Sequence, residues 1–200
     1  MVAKSFENKE YLNKIGLLVK WQKLKLRHFI NNKMAEEEQV YASKVSYNGF
    51  FQFGDFYNFC HSWLTDETGL DMAEIKYSEK LVGEAKNLEI EWRGEKKMTD
   101  YFKFKIKVSM RVNGLAKVEL NQGGVKVNTN KGSFEMKIAG SLARDYNGKF
   151  ETTAFKKFLR SIYEKWVIPA RIEEYMGKVM QECDEFVSQA KAYFDLEGKK

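Results

Sequence analysis

A single proline, Pro169, stands in 200 residues. That scarcity, with 14 % aromatic residues, excludes a proline-rich linker or a low-complexity disordered chain. Cysteine is nearly as rare. Cys60 and Cys183 lie far apart, where a secreted disulfide scaffold carries more cysteines at closer spacing. No CxxC pair or Cys/His cluster offers a zinc site. Both cysteines are read as buried thiols in a reducing compartment, so the expected location is cytoplasmic. No apolar run approaches the roughly 18 residues that a transmembrane helix needs. The run Ile15–Val19 is too short for the core of a signal peptide.

Histidine is limited to His28 and His61. Cys60 and His61 are neighbours, and helical neighbours point about 100° apart, too far for a nucleophile and its base. GxSxG, HExxH, P-loop and dinucleotide-binding patterns are missing. Gly123-Gly124 reads as a turn rather than a phosphate cradle. No catalytic residue, metal or cofactor is expected, and the reading leans away from an enzyme.

What is present begins with charge. The net charge is +6, and residues 1–33 hold eight Lys or Arg against two Glu, which accounts for the whole excess. Residues 1–38 are therefore read as a basic arm with interspersed apolar residues. Lys20, Lys23, Lys25 and Arg27 are its candidate contacts to RNA, an anionic membrane surface or a protein partner. The same segment reads equally as a terminal helix packed on the domain or a tail. Met34 opens MAEEEQVY, and the folded domain is expected to start near Glu38, spanning 39–200.

The domain is organised around Tyr101–Val112, YFKFKIKVSMRV. Phe102, Phe104, Ile106, Val108, Met110 and Val112 alternate with Lys103, Lys105, Lys107 and Arg111. Side chains alternate across a strand, so this is a long strand with one oily and one basic face. Its sheet is antiparallel with one face covered. The basic row faces solvent opposite acidic strand positions such as Glu89 and Glu91.

Seven strands are predicted: 39–52, 72–82, 87–95, 101–112, 116–120, 125–128 and 133–146. Trp92 is expected opposite Ile106, Ile90 opposite Val108, and Glu91 opposite Lys107. Asn113-Gly114 reads as a hairpin turn, and Thr129–Gly132 as another turn. Glu79 shares parity with Ile75, Tyr77 and Leu81, so either it faces a cavity or the strand bulges there. A helix with Asp55 as its N-cap is expected over Gly54–Thr65. Thr152 or Thr153 caps a long C-terminal helix. Its apolar stripe runs through Phe155, Phe158, Leu159, Ile162 and Trp166 to Ile172, Val179, Cys183, Phe186 and Phe194. Pro169 must kink or split it.

The fold class is thus α+β: a seven-stranded curved antiparallel sheet on a long, kinked C-terminal helix. This element order resembles the helix-grip fold of the START-like ligand-binding superfamily. LEIEWRGEKKMTDYFKFKIKVSMRVNGL and KFLRSIYEKW also resemble small archaeal proteins. The first resemblance implies a small apolar or amphipathic ligand held between sheet and helix; the second implies no activity. Tyr47, Tyr77, Trp92, Phe104, Ile106 and Trp166 are the candidate pocket residues, as rings with polar tips beside apolar strand positions. The same residues would equally fill a solid core. The leading expectation is a non-enzymatic ligand-binding module. The alternative is an interaction or scaffold protein acting through the basic arm.

Overall fold

A computed structural model describes residues 36–122 and 125–197. Of the arm read over 1–38, residues 1–35, with Lys20, Lys23, Lys25 and Arg27, lie outside the described residues, and Glu36, Glu37 and Glu38 belong to the first strand. Five strands form one antiparallel sheet: β1 (Glu36–Phe51), β2 (Asp71–Val82), β3 (Ala85–Lys97), β4 (Phe102–Gln122) and β5 (Val125–Arg144). Their spatial order is β1-β5-β4-β3-β2. A helix α1 (Phe53–Ser62) and a π turn (Trp63–Glu67) separate β1 from β2. After β5 come α2 (Ala154–Ile162), a second π turn (Tyr163–Val167) and the long α3 (Pro169–Glu197).

The apolar face of β4 is as expected, but the basic row is not wholly solvated: Lys103 is buried and pairs with Glu95 at 3.0 Å. The even positions of β4 from Phe102 to Val112 are 0–3 % exposed. Leu88, Ile90 and Trp92 of β3 and Phe134, Met136, Ile138 and Leu142 of β5 continue that buried face. Helix α3 covers it along β1 and β5, inserting Val179, Cys183, Phe186, Ala190 and Phe194. Helix and sheet pack closely at Gly140, where an added Cβ would lie 2.5 Å from Cys183 Sγ and 3.2 Å from Val179 Cγ1. At the far end, Phe194 packs on Phe51, Phe56 and Phe134 with centroids 4.4–5.7 Å apart. The opposite face carries ion pairs such as Lys44–Glu135 and Lys107–Glu91.

The strand count is five among the described residues, not seven, because two expected turns are strand. Asn113-Gly114 is a bulge rather than a hairpin. Gly114 has φ +64°, and β4 carries one extra residue opposite Gly132 before pairing resumes at Ala116–Lys131. Gly114 N–H donates to Asn87 Oδ1 at 2.8 Å, so β3 holds the bulge from the other side. Thr129–Gly132 continues β5 in register with β1, Gly49 facing Gly132. The reversal expected at Asn121–Gly124 is the true hairpin, since Gln122 pairs with Val125.

The β3–β4 register is two residues off the expected one. Trp92 opposes Val108 and Ile90 opposes Met110, which preserves the buried face, while Glu91 opposes Ser109 and reaches Lys107 diagonally. Thr99 Oγ1 accepts from Tyr101 N–H and Phe102 N–H, which sets where the turn closes. In β2 the bulge falls at Ile75 rather than Glu79, and Glu79 pairs with Lys86 at 3.2 Å. Helix α1 starts one residue early, with Gln52 as N-cap, so Asp55 sits within its first turn. Thr153 caps α2 as expected, accepting from Lys156 N–H. The C-terminal helical stretch is split, one of the two outcomes expected at Pro169: Ile168 (φ −122°, ψ 23°) separates the second π turn from α3, and Pro169 opens α3. Proline suits that first-turn position because its missing N–H has no helical partner to lose.

Candidate interaction site

The sequence-derived pocket residues do not converge. Trp92, Phe104 and Ile106 are buried in the core. Tyr47 is half-buried and stacks on Phe194 at 4.5 Å. Tyr77 is 51 % exposed on the edge strand β2, and Trp166 is 73 % exposed. Trp92 meets Tyr57 edge-on at 4.8 Å, and Tyr57 donates its hydroxyl proton to Glu74 at 2.7 Å. Burial, then that hydrogen bond, pushes the Tyr57 hydroxyl well above its ordinary range.

Trp166 leads to a different surface. In α2 and its π turn, Phe155, Phe158, Leu159, Ile162, Tyr163, Trp166 and Val167 are all exposed. Phe155 reaches 68 % and Phe158 60 %. At 100° per residue the first six span an arc of roughly 140°. This helix is amphipathic in the usual way, but its apolar face points outward.

The inward face explains the orientation. Arg160, only 6 % exposed, is the buried side chain of α2. Its Nη1 donates to Glu151 at 2.6 Å, its Nε to Glu164 at 2.8 Å, and its Nη2 to Glu36. Arg144, from the end of β5, reaches Glu164 at 3.2 Å and Glu38 at 3.0 Å. Tyr101 donates to Glu164, and burial followed by that bond raises its hydroxyl above the ordinary range. Lys157 holds the Glu151 carboxyl below its usual range. Glu36, Arg144, Glu151, Lys157, Arg160 and Glu164 line an open cleft of about 490 Å³. Strand β1, strand β5 and the turn before α2 each contribute a charge to Arg160 or its partners.

A buried arginine held by three carboxylates fixes α2 by charge-assisted hydrogen bonds rather than by apolar burial. The rotation that satisfies Arg160 turns Phe155, Phe158 and Trp166 away. Sequence reasoning placed those residues in the core stripe. One signal separates the two stripes. Continued at 100° per residue, the stripe of Ile172, Val179 and Cys183 lies roughly 100° from that of Phe155, Ile162 and Trp166.

No helix among the described residues is long and apolar enough to cross a membrane. Compared with protein-family models, curated proteins and solved structures, the chain finds no match.

Proposed function

We propose that the chain is a non-enzymatic interaction module that docks through the outward apolar ridge of α2 and its π turn. The observation carrying this reading is the reversed helix: Arg160 inside, Phe155, Phe158 and Trp166 outside. A contiguous apolar surface of that kind marks a docking face, whereas apolar residues scattered singly do not. The sheet and α3 serve as its scaffold. The expectation of a small apolar ligand between sheet and helix draws less support, because Cys183 and Val179 already touch the sheet at Gly140. Kinship with helix-grip proteins remains a proposal, supported by the long C-terminal helix laid over an antiparallel sheet.

The test is the F155S/F158S/W166S variant, measured by urea unfolding of the full chain. A docking ridge is dispensable for folding, so the expected loss is about 1.5 kcal/mol or less. A loss of 6 kcal/mol or so, the scale of three buried rings, would show that the ridge is core and sink the reading.

A further inference from the structure

We propose that this ridge seats in the headgroup region of an anionic lipid bilayer. The inference rests on the docking reading above and names the occupant. The ridge has the build of an interfacial helix: apolar and aromatic on one side, basic along both flanks. Taking Phe155 as origin, Lys156 falls roughly 100° to one side and Lys165 roughly 80° to the other. Both are placed to lie along the ridge with their ammonium groups at headgroup level. Trp166 and Tyr163 are the ring types that favour the boundary between hydrocarbon and water. Lys165 Nζ already sits 5.4 Å from the Trp166 ring centre.

The sign of the rim is the second observation. Residues 149–171 contain six Lys or Arg and two acids, Glu151 and Glu164. Both acids are drawn inward onto Arg160. Lys156 and Lys165 stay exposed along the ridge, whereas Lys149 lies near Asp100 and Arg171 beside the exposed Glu174. The buried cluster therefore removes negative charge from this surface as well as fixing the helix. A second copy of the chain would bring one cationic rim against another, which disfavours a symmetric dimer here. Negatively charged lipid answers both the apolar ridge and its basic flanks.

The experiment is co-sedimentation of the full chain with phosphatidylcholine vesicles, with and without about 30 % phosphatidylserine, at about 0.1 M salt. Binding is expected only to the serine-lipid vesicles, and it should fall steeply as salt is raised. K156S/K165S should weaken partitioning by roughly 25-fold, at about fivefold per cation near the surface. F155S/F158S/W166S should lose binding although residues 1–33 are untouched. Absence of wild-type binding, or equal binding by both variants, would overturn the lipid assignment. A folded serine variant with no wild-type vesicle binding would leave the docking reading standing and point to an acidic protein partner. Should the serine variant unfold, the docking reading falls. The charge variant, confined to exposed side chains, still decides the lipid question, because unchanged partitioning contradicts it.

Discussion

Helices α2 and α3 follow the same sheet and carry similar apolar stripes, yet they treat them oppositely. Helix α3 buries Val179, Phe186 and Phe194 against β1 and β5. Helix α2 buries Arg160 and exposes Phe155 and Phe158. Burial of apolar area orients the first. In the second, Arg160 with Glu36, Glu151 and Glu164 outweighs the hydrophobic gain that the opposite rotation would bring. An amphipathic stripe states that a helix has two faces; it does not state which one the domain will take.

That contrast ranks the expected effects of substitution. Phe186→Ala, on the inward stripe, should cost about 4 kcal/mol by denaturant unfolding, the range for truncating a buried ring. Arg160→Ala should cost about 3 kcal/mol, because Glu164, largely buried, keeps its charge without the guanidinium 2.8 Å away. A cost near zero would mean that the cluster does not hold α2. Gly140→Val should cost about 2 kcal/mol, since the new side chain must push Cys183 and Val179 off the sheet.

The inward stripe also carries a pH signature. Burial, then the nearby charges of Glu182 and Asp184, pushes the Cys183 thiol from 9.0 up to about 12. Between those values the unfolded thiol has lost its proton and the folded one keeps it. The unfolded state then binds fewer protons, so stability falls as pH rises through that window. Denaturant midpoints measured across it should show a shallower fall for Cys183→Ala. An unchanged slope would contradict the thiol's role. The smallest effect belongs to the outward stripe: Phe155→Ser should change stability by about 0.5 kcal/mol or less in the same assay.

Much of the sheet was legible because alternation is local. Phe102 to Val112 need only their own backbone to choose faces, and that parity survives the two-residue register shift. Asn113-Gly114 was not legible in the same way. Its positive φ serves a hairpin turn or a bulge equally well, and β3 and β5, both continuing past it, decide between them. The spread of the candidate pocket residues between core and surface has a related reason. Tyr77 sits on an edge strand whose parity is displaced by the bulge at Ile75, and Trp166 belongs to a helix turned by distant charges. Glu36 and Glu151 reach Arg160, and Arg144 reaches its partner Glu164, from separate segments, so no window of sequence around α2 announces that they meet. The changed phase of the stripe across Pro169 was the one local trace of the reversal.

The most direct measurement is the solvent accessibility of the Trp166 indole in the intact folded chain. Iodide quenching of wild type is compared with W166F, so that the difference isolates this ring from Trp21, Trp63 and Trp92. The expected difference emission is red-shifted and quenched like that of a free indole, because Trp166 lies on the outward face of α2. A blue-shifted difference that iodide cannot reach would contradict the claim, and would place the ridge in the protein's interior rather than on its surface.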